Sequence, residues 1–195
     1  SHGDQEVFSI AQMQSLFDLA DVNAKASRLD SAKLAWLNQQ YLKEADDVRL
    51  AGLMRPFLER DGCDLANGPE PQRVAALLKE RVSTVEELAD AAVYFYRTLE
   101  PSAELRAQHY TADARPALED LHRRLGAVAW DRASISSAMK AVVADHKLKF
   151  PKLAMPLRVM VTGEPQTPSV DATLELIGRE QVLARMAREL DLFPG

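Results

Sequence analysis

The sequence predicts an all-α fold of about eight short helices, packed in two or three small bundles. Two observations predict this class. Apolar side chains recur every three or four residues through most of the chain, which is the spacing of an amphipathic helix. Clusters of proline, glycine and asparagine separate these periodic segments. With 195 residues, of which 47% are hydrophobic, the chain can bury the core of one domain or of two small ones.

Three helical segments are predicted in the first third of the chain. Residues 10–17 carry apolar side chains at helical spacing. Asp30 precedes a second segment that runs through Tyr41, and its carboxylate can accept the free N–H groups of a first helical turn. Residues 48–58 repeat the apolar pattern. A loop is predicted over residues 62–71, where glycines, prolines and an Asn-Gly pair interrupt the pattern.

The next two helices meet at an arginine. Apolar residues within 74–78 define the first helix, and residues 83–86 (Ser-Thr-Val-Glu) have the pattern of a capping box that opens the second. The second helix is expected to run through Tyr96. Arg81 therefore lies at the junction between the two helices. Pro101 marks a break and a plausible boundary between subdomains.

The second half of the chain is also mostly helical in pattern. Residues 157–161 are ambiguous from the pattern alone, because their valines favour a strand and the segment is too short to decide. Thr167 followed by Pro168 predicts a helix start, and Gly178 fits the end of that helix. Helical periodicity covers three further segments, residues 115–125, 132–148 and 182–190.

No catalytic or metal-binding constellation is recognisable in the sequence. The four histidines include no pair at helical metal-ligand spacing, and Cys63 is the one cysteine. Cys63 has no histidine near it in sequence that would activate a nucleophile. The glycines do not form a phosphate-binding loop. We therefore expect no catalytic residue, no metal site and no cofactor in this chain, and an enzyme assembled from scattered residues is a weak rival interpretation.

Charge and hydropathy restrict the partners. The net charge is −5, whereas general RNA binders are basic, so any RNA must be bound through a local patch. No apolar run approaches the roughly 18–20 residues that span a bilayer. Residues 1–6 are polar and acidic, unlike a signal peptide. These features lead us to expect a cytoplasmic protein that binds neither membranes nor DNA.

Three side chains are candidates for binding, and each has an ordinary alternative. Arg81 can present its planar donor fork to a base edge or a phosphate, or it can be a solvated surface arginine. Arg158 interrupts an apolar run, so it either forms a salt bridge or faces a ligand. Thr167 either only caps a helix or also marks a helix start that binds an anion or a base edge. Basic residues at 123–124 and 146–152 are weaker candidates.

A resemblance to a known family rests on several segments in a fixed order. The most specific are residues 155–163 (Met-Pro-Leu-Arg-Val-Met-Val-Thr-Gly), Thr167-Pro168, and residues 34–41 (Leu-Ala-Trp-Leu-Asn-Gln-Gln-Tyr). Together these segments resemble the C-terminal half of bacterial glutamate–tRNA ligases, which are class I aminoacyl-tRNA synthetases. The supporting segments are residues 1–8, 27–30, 81–96 and 177–180.

The resemblance implies an all-helical anticodon-binding region whose partner is tRNA-Glu. It implies that Arg81 reads the third anticodon base, that Arg158 makes a second contact, and that Thr167 and Val170 make contacts at a helix start. Arg81 stands where some relatives carry glutamine, which implies an enzyme that charges tRNA-Glu and rejects tRNA-Gln. The resemblance also favours a helix over residues 157–161, against the strand that their pattern suggests.

The resemblance further implies a division of the chain and a missing partner domain. Residues 1–45 would end a stem-contact segment, residues 46–99 would form a first helical anticodon-binding subdomain, and residues 100–195 a second. The ATP-binding signatures of the family are absent from this sequence. The parent ligase would use ATP and magnesium in an N-terminal catalytic domain, and this part alone would be inactive. The alternative is a helical protein–protein interaction module without RNA binding.

Overall fold

The computed structural model describes residue 5, residues 7–19 and residues 30–193, and within them it contains helices and no strand. The predicted all-α class is confirmed. The described residues form eleven α-helices rather than about eight, and a 3-10 turn, Lys79–Arg81, follows the fourth helix. The helices are α1 Ile10–Leu16, α2 Ser31–Glu44, α3 Asp47–Arg60, α4 Pro71–Leu78, α5 Val85–Tyr96, α6 Ala103–His109, α7 Arg115–Leu125, α8 Arg132–Asp145, α9 Phe150–Thr162, α10 Val170–Ile177 and α11 Arg179–Leu190.

The helices pack as two groups that follow each other along the chain. Helices α3, α4 and α5 pack against one another and form the first bundle. Helices α7 to α11 form the second, in which α8 contacts α7, α9 and α10, while α11 packs on α7 and α9. Helix α6 lies against α9. Each bundle is centred on fully buried side chains, such as Met54 and Leu88 in the first and Leu121 and Met160 in the second.

Residues 157–161 form part of α9, so the strand suggested by their local pattern is wrong and the helix implied by the resemblance is confirmed. Leu157, Val159, Met160 and Val161 are each at most 1% exposed. Consecutive residues are therefore buried on all sides, as in a helix at the centre of a bundle. The valines in this segment reflect deep burial and not the alternation of a half-buried strand.

Two helix starts lie one or two residues from their predicted positions. Helix α10 begins at Val170 after Ser169, while the Thr167 hydroxyl donates to the Pro168 carbonyl at 3.0 Å and caps no helix. At α5, Thr84 is the N-cap and accepts from the Glu87 N–H at 3.1 Å. The carboxylate that completes this start therefore belongs to Glu87 and not to residue 86. The predicted helix end at Gly178 is confirmed.

Gly163 ends α9 in a conformation that only glycine adopts easily. Its φ is 74°, in the left-handed region, and an added Cβ would lie 2.8 Å from the Cβ of Leu99. The chain after α9 is therefore pressed against the segment that follows α5. This close approach brings the loop at residues 164–168 to the first bundle.

Among the described helices, none combines the length and the apolarity needed to cross a membrane. The supporting segments at 1–8 and 27–30 lie largely outside the described residues, and so do the first residues of the proposed stem-contact segment.

Candidate nucleic-acid interface

Arg81 ends the 3-10 turn between α4 and α5, as the helix junction predicted. Its side chain is exposed, and it forms no hydrogen bond or ion pair with any described residue. The turn itself is held in place by the neighbouring Lys79, whose ammonium binds the Asp47 carboxylate at 2.8 Å and the Ala45 carbonyl at 3.0 Å. The backbone at Arg81 is thus fixed while its guanidinium remains available to a ligand.

Arg158 lies on α9, half-buried and without a carboxylate partner among the described residues. Its Nη1 donates to the Pro165 carbonyl at 3.3 Å and to the Met155 sulfur at 3.2 Å, while its buried Nε has no hydrogen-bond partner. Burial lowers the pKa of Arg158, and the positive charge of Arg81 lowers this pKa further. Of the two predicted alternatives, a salt bridge is therefore absent, and the two arginines are close enough to repel each other.

A groove of about 260 Å³ lies between the two bundles at this point. The side chain of Tyr94, on α5, lines it and is only 3% exposed. The Tyr94 hydroxyl is buried, and burial raises its pKa, while the charge of Arg81, the neighbouring Thr173 hydroxyl and the charge of Arg158 oppose the rise. The other polar residues that line the groove are Arg81, Asp90, Glu164, Gln166 and Thr167.

The four predicted contact residues have different positions relative to this groove. Arg81 and Thr167 line it from opposite bundles, and Arg158 stands beside it, near enough to act on Tyr94. Thr167 is 7% exposed, so it presents little more than one edge. Val170 is 6% exposed and is not among the lining residues. The contact assigned to Val170 therefore stays a prediction that would require α10 to move or RNA to reach its first turn.

The sequence analysis did not identify the hydrogen-bond acceptors of the groove, Asp90, Glu164 and Gln166, or its aromatic residue, Tyr94. Asp90 and Tyr94 lie on the same side of α5, one turn apart. The spacing of four residues between this aspartate and this tyrosine is the feature of the sequence that could have indicated them. Glu164 and Gln166 lie in the loop after α9, whose path is set by the contact of Gly163 with Leu99. That contact joins distant parts of the chain and leaves no local pattern in the sequence.

Four of the other basic candidates, Arg123, Arg124, His146 and Lys152, contact carboxylates within the fold, whereas Lys147 and Lys149 form no ion pair with the described residues. The Arg124 guanidinium binds Asp120 at 2.7 Å and Asp145 at 2.6 Å, and His146 lies 3.2 Å from Asp120. Arg123 also pairs with Asp120. Lys152 lies 3.7 Å from the Asp113 carboxylate. These cations lie on the second bundle and already have carboxylate partners, unlike the two arginines at the groove.

The described residues contain no group of three or more histidine, cysteine or acidic side chains that could hold a metal ion. Cys63 is a free thiol, and burial raises its pKa, which disfavours the reactive thiolate. The arrangement at the groove is suited to recognition, because it offers donors, acceptors and an aromatic ring without a nucleophile poised beside a base.

Comparison with known proteins agrees with a helical recognition module. A sequence model described as the anticodon binding domain matches residues 49–190, and the chain belongs to this family. The match covers the two bundles and includes Arg81, Arg158, Thr167 and Val170. The expected alternative, an interaction module without RNA binding, is not favoured by this finding.

The similar curated proteins are glutamate–tRNA ligases, in agreement with the resemblance seen in the sequence. The chain is 57% identical over 190 residues to the enzyme of Thiobacillus denitrificans, covering 97% of this chain and 40% of that protein. It is 53% identical over 195 residues to the enzyme of Nitrosospira multiformis, covering 99% of this chain and 42% of that protein. The chain therefore spans about two fifths of the length of these relatives.

Solved structures share the fold. A glutamate tRNA ligase from Elizabethkingia meningosepticum superposes with a TM-score of 0.88 at 20% identity, covering 97% of this chain and 38% of that chain. The glutamate-tRNA synthetase of Elizabethkingia anophelis gives a TM-score of 0.83 at 21% identity. At such low identity, these two likenesses concern the fold alone.

Proposed function

We propose that this chain reads the anticodon of tRNA-Glu as part of a glutamate–tRNA ligase. The observation that carries the proposal is that Arg81 and Arg158, from different bundles, meet beside one groove and neither has a carboxylate partner. A desolvated cation without a partner lowers stability, so its presence is better explained by a ligand than by the fold. Anticodon bases are unstacked when they are recognised, and a groove with an aromatic floor can accept one of them.

The groove suits the third anticodon base of tRNA-Glu, which is cytosine. The Watson–Crick edge of cytosine offers two adjacent acceptors, and the donor fork of Arg81 can bind both of them. The exocyclic amine of cytosine needs an acceptor, which the carboxylate of Asp90 or Glu164 can provide. Guanine presents two donors in place of these acceptors and would oppose the arginine. A guanine at this position, as in tRNA-Gln, is therefore expected to be rejected.

The remaining contacts extend the reading beyond the groove. Arg158 is proposed to bind an adjacent base or phosphate, and Thr167 and Val170 to contact RNA at the start of α10. Ser169 makes no capping hydrogen bond with its side chain, and of the first N–H groups of α10 the one of Ala172 donates to the Asp171 carboxylate at 3.0 Å, while those of Val170 and Asp171 are left for a ligand. Residues 46–99 and 100–195 are proposed as the two anticodon-binding subdomains, each with its own packed core, and residues 1–45 as the end of a stem-contact segment.

In the longer protein, anticodon reading would position the acceptor end of tRNA-Glu at a catalytic domain that attaches glutamate with ATP and magnesium. We propose that this catalytic domain is the N-terminal partner of the chain and that the whole protein acts in the cytoplasm. The groove itself supplies no chemistry to that reaction. Its contribution is selection of the correct tRNA.

The experiment is a low-salt fluorescence titration of the chain with a tRNA-Glu anticodon stem-loop. A second loop has its third anticodon base changed from cytosine to guanine. We expect the chain to prefer the first loop about 10-fold to 100-fold, the equivalent of one bidentate base contact of roughly 1–3 kcal/mol. Arg81→Gln should abolish this preference. Equal binding of both loops, or no binding of either, would contradict the proposal.

Arg124→Gln is the matched control. It also removes one arginine charge, but from a guanidinium that already binds Asp120 and Asp145. It should retain the preference for the cytosine loop. If Arg124→Gln and Arg81→Gln weaken binding of the cytosine loop by the same factor, the chain responds to total charge and does not read the base.

A further inference from the structure

Arg185, on α11, is a buried cation that binds backbone carbonyls instead of a carboxylate. It is 4% exposed, and its Nη1 donates to the Tyr94 carbonyl and to the Val161 carbonyl, both at 2.8 Å. Its Nε is buried without a partner. Burial, and then the charge of Arg188, lower the pKa of Arg185 to about 10, so the side chain still carries its proton at neutral pH. Burying a cation in this way costs free energy, and this cost calls for a role that explains its position.

The two carbonyls lie at the ends of two different helices. Tyr94 is in the last turn of α5, and Val161 is in the last turn of α9. Carbonyls in a last turn lack helical partners, and the negative ends of two helix dipoles favour a cation between them. The residue four positions after Val161 is Pro165, which has no N–H to offer. Arg185 therefore supplies the donor that both helix ends need.

The contact between Arg185 and Tyr94 is also a polar connection between the two bundles. Among the described residues, the bond from Arg185 to the Tyr94 carbonyl joins residues 46–99 to residues 100–193, and the Tyr94 hydroxyl also lies near the Thr173 hydroxyl of the second bundle. Within the described part of the chain, the ion pairs of the second bundle, such as Arg106 with Glu189, stay within it. The bundles otherwise meet through apolar contacts, such as Leu99 against the turn at Gly163. Apolar contacts are less directional and fix an orientation less strictly.

Arg185 joins the ends of α5 and α9, and both of these helix ends lie next to the groove. Tyr94 is the residue whose ring lines the groove, and Arg158 is one turn before Val161 on α9. Arg81 belongs to the bundle of Tyr94. We propose that Arg185 is a positioning residue: it locks the end of α5 to the end of α9 and so sets the spacing between Arg81 and Arg158. This inference rests on the proposed function, because the spacing matters only if both arginines bind one RNA.

The test compares Arg185→Met with Arg106→Met in the titration with the two stem-loops. Arg106 pairs with the buried Glu189, one turn from Arg185 on α11, and contacts neither Tyr94 nor Val161. Both variants should unfold at lower temperature, so binding is measured well below both transitions. We expect Arg185→Met to reduce the preference for the cytosine loop at least about fivefold. Arg106→Met should keep the preference of the unchanged chain.

A conservative variant separates position from charge. Both hydrogen bonds of Arg185 come from a single nitrogen, and a lysine ammonium also has a single nitrogen with several donors. Arg185→Lys keeps the charge at the two helix ends but has a shorter side chain. Its preference for the cytosine loop should lie between those of the unchanged chain and Arg185→Met. A value equal to that of Arg185→Met would show that the reach of arginine is required.

A measurement without RNA distinguishes this inference from the proposed function. Spin labels are attached at exposed positions in the two bundles, through Glu86→Cys and Lys152→Cys in a Cys63→Ala background. The distance distribution between labels should broaden in Arg185→Met and stay unchanged in Arg106→Met. An unchanged distribution together with an unchanged loop preference would overturn the positioning role while leaving the function intact. If the unchanged chain does not distinguish the loops, the function fails, and the label distances still decide whether Arg185 joins the bundles.

Discussion

The cluster around Asp120 and the groove at Tyr94 both contain arginines, and they use them in opposite ways. At the cluster, Arg124 binds Asp120 at 2.7 Å and Asp145 at 2.6 Å, so its donors are occupied by carboxylates. At the groove, Arg81 has no partner among the described residues, and Arg158 has only a carbonyl and a thioether. The first region holds α7 against the end of α8. In the second, the two arginines form no ion pair with the described residues, and their one side-chain bond to the backbone is from Arg158 to the Pro165 carbonyl.

This difference explains how an acidic chain can bind RNA. The net charge of −5 excludes binding through overall attraction, and basic residues by themselves do not locate a site. The adjacent arginines at 123 and 124 look at least as basic in sequence as the two separated arginines at the groove. What separates the two regions is whether a carboxylate lies within reach, and that depends on the fold. The partners of an arginine are therefore a better guide to function than its neighbours in sequence.

Of the two regions, the cluster around Asp120 is expected to show the larger effect on stability. Asp120→Asn removes the charge that Arg123, Arg124 and His146 share, and should lower the free energy of unfolding by about 1 kcal/mol at neutral pH. Hydrogen bonds from Arg124, then from Arg123 and His146, lower the pKa of Asp120 to about 2. Because the pKa is lower in the folded chain, the stabilisation is present above the unfolded pKa and is lost as the pH falls through the folded one.

Urea unfolding of Asp120→Asn and of the unchanged chain at several pH values measures this difference. The gap between the two should be constant above about pH 4 and should close between about pH 4 and pH 2. Binding of the cytosine stem-loop at neutral pH should be the same for both. A gap that persists undiminished at the lowest pH would mean that Asp120 stabilises through packing and not through its charge.

A smaller effect of opposite sign is expected at the groove. Arg158→Met removes a half-buried cation that has no carboxylate partner and replaces it with an apolar side chain of similar length. The free energy of unfolding should stay equal or rise by about 0.5 kcal/mol, because the desolvation cost is relieved. The same variant should bind the cytosine stem-loop more weakly. Chemical unfolding and the stem-loop titration measure the two quantities, and a loss of stability above about 1 kcal/mol would indicate a structural role for Arg158.

Much of the fold follows from local pattern, and the exceptions have physical causes. The spacing of apolar residues predicts α3 and α7, because each of these helices has one buried and one exposed face, and it predicts α5 from the first half of that helix, before residues 92–96 become buried in succession. Helix α9 lacks such faces and contains a proline at residue 156, so the pattern suggests a strand at its centre. Helix α6 spans only seven residues and buries none of them, which leaves no periodic signal.

The residues of the candidate site also fall into those that local sequence features predict and those that depend on tertiary contacts. Arg81 stands out in sequence because a helix junction is a local feature, and Arg158 stands out because a charge in an apolar run is unusual. Tyr94 and Arg185 do not stand out, since their roles depend on the meeting of α5, α9 and α11. Arg185 is a charged residue on the buried face of α11, between Val182 and Met186, which are both fully buried. A charged residue at a buried position of this helix is the feature of the sequence that could have indicated Arg185.

The central claim is that Arg81 and Arg158 act together on one RNA, and a double-mutant cycle tests it most directly. Arg81→Gln, Arg158→Gln and the double variant are titrated with the cytosine stem-loop, beside the unchanged chain. If both arginines bind the same loop across the groove, the losses in binding free energy should be non-additive by at least about 0.5 kcal/mol. Losses that add within about 0.3 kcal/mol would mean that the two arginines act independently and would contradict the shared site.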